Sequence, residues 1–333
     1  MATLDPSLAG TGRRAAGGGP PFAAVLALTA GHLLLLYFVL LWWDRSEVAS
    51  AGWRFALFLA TLVAAFGLSR LAGWIAEHPA GRAIRFLPAA FTMILALLAA
   101  EALLRAYQVP AGLIPTPTEV LVVLWQARDV LLQDTWQTFV MEAVVGFLIG
   151  VGVALPVSLL IARSGFLQQG MMPYAAAFSS IPIPALAPVF VHMFGLDWQS
   201  KAAVVAVTVF FPVVVNVVRG LLEIDPRLLD LMRSYAANDR QVFVKARVPN
   251  ALPFFFNALK LGTTLAMIGA IVGEFFGATG KGLGFRIQIE AGRFGFDIVW
   301  AAIIVASALG IAWFGLVAWL ERRFTAWHVS LRE

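Results

Sequence analysis

SYAANDRQVFVKARVPNALP, residues 234–253, carries four charges and two prolines, yet it lies between the apolar runs VVVNVVRG and FFFNALKLGTTLAMIGAIVGEFF. A polar insert bounded by runs this apolar reads as a loop between membrane spans, because a helix crosses the hydrocarbon core with about 20 predominantly apolar residues. Asp225 followed by Pro226 is a helix-start signal, so the material from there onward reads as helical. Asn238 and Asp239 can end one short helix and cap a second, QVFVKARV, which Pro249 is expected to stop. Small Ala236 and Ala237 at the corner leave room for a partner's surface, and Tyr235 and Phe243 are apolar anchors in polar surroundings.

The rest of the chain has the composition of a membrane protein. Hydrophobic residues make up 60% and charged residues 13% of 333, against about 45–50% and about 25% in soluble domains. There is no cysteine, which excludes a disulfide framework, a thiolate metal site and a cysteine nucleophile. Eight apolar blocks are long enough to span, near residues 22–43, 55–75, 89–106, 139–162, 173–194, 202–218, 255–276 and 299–320. The prolines of IPIPALAP are expected to kink or split the fifth. Residues 1–21 read as a disordered cytoplasmic tail rather than a cleaved signal, since the apolar block that follows is too long.

Orientation follows from Lys and Arg near the span ends. With the N-terminus inside, fifteen of the 24 fall on the cytoplasmic side and eight, Lys201 among them, on the outer side, while Lys260 stays within a span. Both termini are thus expected in the cytoplasm, and the net charge of +5 is accounted for without nucleic acid.

The loop resembles the cytoplasmic loop by which ABC-importer permeases insert into their ATP-binding subunit. Asp230-Leu231-Met232 stands where that loop has Glu-Ala-Ala, and Ala236-Ala237-Asn238 where it has a Gly-Ala-Ser-like corner, with QVFVKARVPNALP matching its second half. The alanine at 236 replaces a glycine, the residue that makes a left-handed turn at no steric cost. LIPTPTEV (113–120), SSIPIPALAPVFVHMFGLDWQSK (179–201) and GEFFGATGKGLGFRI (273–287) resemble segments of permeases of the nitrate, sulfonate and taurine type. The combination of SYAAN, LGTTLAMIGAIVGEFFG and GLGFRI is most similar to permeases for thiamine-precursor pyrimidines and riboflavin.

The resemblance implies an all-α polytopic fold of about eight transmembrane helices. Residues 22–87 supply two additional helices and 88–321 a six-helix type I importer core with its coupling loop at 220–253, followed by a cytoplasmic tail at 322–333. It implies that Asp230, Ser234, Tyr235, Ala236, Ala237, Asn238, Asp239, Arg240, Phe243 and Pro249 form the coupling loop. The implied partners are a second copy of the chain, a dimeric ATP-binding subunit holding ATP and Mg, an extracytoplasmic solute-binding protein and the lipid of a bacterial inner membrane.

Charged and hydroxyl residues within spans are candidate pathway groups, since they are expensive there. Glu142 fits either a structural salt bridge or a substrate contact. Glu274 could meet substrate at the outer mouth or pair with Arg286 or Lys281. Lys260, three residues from Asn257, could line the pathway or extend its amine to the cytoplasmic interface. Ser179, Ser180, Thr263 and Thr264 fit pathway or helix-packing roles, and Glu101 with Arg105 fits an i,i+4 ion pair. His192 has no second histidine at ligand spacing, so no metal site is expected. GATGKGLGF (277–285) lacks the spacing of a phosphate loop, and no HExxH or GxSxG motif occurs. The chain is expected to be a transport subunit without catalytic residues. A secondary transporter would need duplicated halves with matching helix interruptions, and only one interruption is seen.

Overall fold

A computed structural model of the protein describes residues 87–178 and 182–326. The expected spans at 22–43 and 55–75 lie outside these residues, as do Ser179 and Ser180. Every regular element among the described residues is helical. The chain divides between Thr118 and Glu119 into two compact units.

In the first unit, α1 (Leu87–Ala106) is a 20-residue helix that ends in a left-handed Gln108, at φ 49°. A polar knot forms at its C-terminal end. The Glu101 carboxylate accepts from Arg105 Nε at 2.6 Å and from the Thr118 hydroxyl at 2.6 Å and amide at 3.0 Å. Thr118 belongs to the first turn of α2 (Pro117–Gln126), where a carboxylate is favoured by the unpaired amides of a helix start.

Among the described residues of the second unit, four helices are long and apolar enough to span: α3 (Arg128–Arg163), α6 (Trp198–Leu222), α8 (Asp239–Phe276) and α10 (Phe296–Phe324). Between them lie α4 (Gly165–Phe178), α5 (Ile183–Phe194), α7 (Pro226–Ser234) and α9 (Leu283–Gly292). The block expected at 173–194 is interrupted at Pro182, whose backbone is extended at ψ 124°, before α5 starts at Ile183. A proline has no amide hydrogen to donate and biases the residue before it away from the helical region, which accounts for a break in this Ile-Pro-Ile-Pro run.

The expectation that Pro249 stops a short helix fails. α8 runs 38 residues, through both Pro249 and Pro253. A widened π-type turn at Phe243–Arg247 precedes Val248, and Pro249 then occupies the first turn of the α-register that follows. Its missing amide hydrogen is tolerated there. A similar π stretch, Trp136–Val144, lies within the 36 residues of α3.

α6 is the central helix. Val204, Val205, Val209, Val213, Val214 and Val218 along it are all buried, as expected of a helix apolar on every side. Lipid tails supply no hydrophobic driving force between spans, so close packing of small residues holds them together. A Cβ on Gly146 of α3 would lie 2.5 Å from the Ala202 carbonyl oxygen, and one on Gly150 would lie 2.5 Å from that of Ala206. From the other side α8 packs Gly262 against Phe147 and Val209, and Gly269 against Val205. Trp313 of α10 meets Phe139 and Phe147 edge-on, with ring centroids 5.2 and 5.0 Å apart.

Candidate functional site

Two polar assemblies stand at opposite ends of the α6–α8 core. The first is the corner between α7 and α8. Asp225 caps α7, its carboxylate accepting from the Arg227 amide at 2.9 Å. The helix ends with Ala236 in the left-handed region, at φ 50°. The Ala237 amide donates to the Met232 carbonyl at 3.0 Å and the Ala236 amide to that of Arg233 at 2.9 Å, the two bonds of a Schellman ending. Alanine therefore makes the turn for which the resembled loop uses glycine. Asn238 then starts α8 with two reciprocal bonds of 2.9 Å, the Gln241 amide donating to Asn238 Oδ1 and the Asn238 amide donating to Gln241 Oε1, a capping box.

With its backbone satisfied internally, the corner leaves its side chains free. Tyr235 is 78% exposed and Leu231 51%, and Ala236, Asn238, Asp239 and Arg240 are exposed beside them. Asp230 pairs with Arg233 at 3.2 Å, and the Ser234 hydroxyl donates to the Leu231 carbonyl. Phe243 departs from its expected role as a surface anchor: it is half-buried against the core, with the Arg163 guanidinium 5.8 Å above its ring. The Asn250 side chain, which the sequence reading did not single out, donates to the carbonyls of Gly220 and Glu223 at 2.8 and 2.9 Å.

The second assembly encloses the first turn of α9. A helix start leaves amides unpaired, and here four successive ones find side-chain acceptors. Gly282 N donates to Asp134 Oδ1 at 2.9 Å, Leu283 N to Thr138 Oγ1 at 2.7 Å, and Gly284 N and Phe285 N to Glu274 Oε2 at 2.5 and 3.1 Å. Thr138 in turn donates to Glu274 Oε1 at 2.6 Å, and Asp134 pairs with Arg286 at 2.9 Å. Asp134, Thr138 and Glu274 are all buried. The glycines make this approach possible: a Cβ on Gly282 would lie 2.2 Å from Glu274 Oε1, and one on Gly284 2.7 Å from Oε2. Gly282 also sits at φ 127°.

This assembly corrects several sequence expectations. Glu274 does fix the turn that precedes α9, but it binds backbone amides and Thr138 rather than Arg286 or Lys281, and it is buried. Glu142 is buried beside Glu274. One of its oxygens accepts from Gln137 at 3.0 Å, while the other has no hydrogen-bond partner among the described residues. Lys201, expected as an outer-surface charge, is buried in the first turn of α6, where its amine donates to the Leu196 and Asp197 carbonyls. The i,i+4 spacing of Asp134 and Thr138 was the available signal for this site, but nothing in sequence links them to residues some 140 positions away.

The remaining pathway candidates separate along α8. Lys260 forms an ion pair with Glu321 of α10 at 2.7 Å, so its charge is used between helices. Thr263 is buried and donates to the Lys260 carbonyl. Asn257 and Thr264 do lie on an exposed face, with Leu261, Ile268 and Phe275 at helical spacing. That face carries no charged side chain.

Comparison with known proteins agrees with this architecture. Residues 134–326 match the model of the family described as binding-protein-dependent transport system inner membrane component. The chain is 34% identical over 184 residues to the formylaminopyrimidine transport permease protein ThiX of Halalkalibacterium halodurans, covering 55% of this chain and 73% of that one. It is 32% identical over 246 residues to the riboflavin transport system permease protein RibX of Chloroflexus aurantiacus, covering 73% and 90%. Among solved structures, an inward-facing MetNI methionine ABC transporter superposes with a TM-score of 0.51 at 25% identity, covering 60% of this chain and 98% of that one. The chain therefore belongs to the family of membrane-spanning permease components of ABC importers.

Proposed function

We propose that two copies of this permease line a central pathway for a small, neutral, flat heteroaromatic solute. The solute is delivered by an extracytoplasmic binding protein and moved by a dimeric ATP-binding subunit that holds ATP and Mg. The six helices of residues 88–321 act as the translocating core, with the two N-terminal helices added to it and both termini in the cytoplasm.

The observation that carries the reading of the motor contact is the α7–α8 corner. Its backbone bonds are closed within the loop, so Tyr235, Ala236, Asn238 and Arg240 are held rigidly and still exposed. Closure of the ATP-binding dimer pushes on this corner, and the rigid shift swings α6 and α8 so that the pathway opens to the outside. The permease performs no bond chemistry. Its work is alternating access, and hydrolysis lies on the partner.

The solute class is supported by the exposed face of α8. Asn257 and Thr264 offer hydrogen bonds among Leu261, Ile268 and Phe275, and the nearest amine, that of Lys260, is neutralised by Glu321. An anion would require uncompensated cations in such a pathway. Two relatives named for a formylaminopyrimidine and for riboflavin point to the same class.

Co-purification with the ATP-binding and solute-binding proteins, followed by ligand screening of the latter, tests this function. Heteroaromatic ligands are expected, and a sulfonate or nitrate ligand would overturn the solute class. Transport by the permease alone in liposomes without ATP would overturn the importer reading. Ala236→Arg is expected to abolish association with the ATP-binding subunit while membrane insertion stays normal; unchanged association would remove the corner from docking.

A further inference from the structure

We infer that Asn250 is a positioning residue for energy coupling: its side-chain amide fastens the two feet of the cytoplasmic corner together, so that displacement of the corner moves α6 and α8 as one body. This rests on the reading of the corner as the element the ATP-binding subunit pushes.

The corner is rigid within itself, through the Asp225 cap, the Schellman ending at Ala236 and the Asn238 capping box. Its weak point is the foot where α6 gives way to α7. α6 ends at Leu222, and the three residues before Pro226 are not helical. The last carbonyls of a helix have no partner within it. A short irregular segment there would flex under load, and the push would be absorbed rather than transmitted.

Asn250 closes that point. A side-chain amide nitrogen has two hydrogens to donate, and Asn250 gives one to Gly220 and one to Glu223, residues 30 and 27 positions earlier in the chain. One of these carbonyls belongs to the last turn of α6 and the other to the segment just beyond it. The bonds therefore bridge the hinge and join it to α8 at once.

Two further contacts show that the helices are in direct register at this place. A Cβ on Gly220 would lie 2.8 Å from Ala251 Cα and 2.9 Å from Phe254 Cβ, so the two backbones touch beside the bonds. On the same stretch of α8, the Arg163 guanidinium covers the Phe243 ring and adds the end of α3 to the block. No other residue pair between 220–225 and 248–253 is joined by a side-chain hydrogen bond among the described residues.

The test uses the complete importer, permease with its ATP-binding and solute-binding proteins, in proteoliposomes. It reads ATP hydrolysed per solute taken up, together with retention of the ATP-binding subunit on purification. Asn250→Ala is expected to keep the complex intact and raise the ratio about fivefold, the effect of a free-energy loss on the order of one hydrogen bond. Asn250→Asp sets an acceptor against two carbonyl oxygens and is expected to raise the ratio further. An unchanged ratio in both variants overturns the inference, as does loss of the ATP-binding subunit, which would make Asn250 part of docking itself.

A tether keeps the test decisive if the point variants fold poorly. The chain has no cysteine, so Asn250→Cys with Glu223→Cys gives each copy of the permease one reactive pair, cross-linked before the partner proteins are added. Joining it with a short thiol cross-linker should bring the ratio back toward that of the unmodified importer, and a cross-linked protein that stays uncoupled overturns the inference. Failure here is distinct from failure of the docking reading, because that reading falls only if Ala236→Arg retains the ATP-binding subunit.

Discussion

The α7–α8 corner and the first turn of α9 solve the same problem in opposite ways. Each is a break between helices with amides and carbonyls to satisfy. At the corner the partners are close in sequence: Asp225 serves Arg227, and Asn238 and Gln241 serve each other. Around α9 the partners are distant, Asp134 and Thr138 reaching amides 148 and 145 residues away. Local closure leaves a rigid shape with free side chains, suited to meeting another protein. Distant closure leaves nothing free and ties α3, α8 and α9 into one buried unit. The contrast predicts that substitutions around α9 lower the stability of the whole permease, whereas those at the corner alter its partnership and little else.

The strongest way to break this contrast is Gly284→Ala. The added carbon would sit 2.5 Å from the Ile271 carbonyl oxygen and 2.7 Å from Glu274 Oε2, displacing the carboxylate from both amides. A loss of about 4 kcal/mol or more is expected, read as aggregation or an early melting transition in detergent. A permease that tolerated this change would show that the α9 turn is not held by Glu274.

Thr138→Val keeps the volume and removes one hydroxyl. It leaves the Leu283 amide without its acceptor and Glu274 Oε1 without its donor, at a cost of about 2–3 kcal/mol. The melting temperature should fall, while association with the ATP-binding subunit at low temperature should be unaffected. Loss of association without loss of stability would contradict the division of labour between the two ends.

At the corner, Asn238→Ala removes the cap of α8 and should cost about 1 kcal/mol. The melting temperature should fall by no more than about 2–4 °C, less than for Thr138→Val, and weaker co-purification of the ATP-binding subunit should report the change. The smallest effect is expected from Ala236→Gly. The residue already occupies the left-handed region at φ 50°, so glycine removes a steric penalty but adds freedom to the unfolded chain. A net stabilisation of about 0.5 kcal/mol is expected, measurable as slightly greater protection of the corner from proteolysis. A destabilised Ala236→Gly variant would mean that the alanine methyl makes a contact of its own.

Much of this architecture could be read from residues adjacent in the chain. Runs of apolar residues fix which segments enter the membrane, because each span must satisfy its own backbone bonds within lipid. The corner was readable for the same reason, since its Asp-Pro start, small-residue turn and Asn cap act within a few positions. The fate of Pro249 was not, because whether a proline stops a helix depends on the turn before it, and the π-type turn at Phe243–Arg247 relieves the conflict. Nor could the sequence separate Asn257 and Thr264 from Lys260 and Thr263. All four lie on one helix, and only the positions of α3, α6 and α10 decide which side is covered.

The sequence by itself determined that this is a helical membrane protein with a polar joint between two of its spans, since span length and local capping are properties of short stretches, and its motifs resembled those of the permease family to which it belongs. Only the tertiary structure decided what the buried charges do. A carboxylate within a span must find a donor, but the donor need not be nearby in the chain. Glu274 finds the amides of the next helix, Lys260 finds Glu321, and Asp134 finds Arg286 at a separation of 152 residues. Such pairings follow from which helices touch, and that is set by the glycines and valines packed between them.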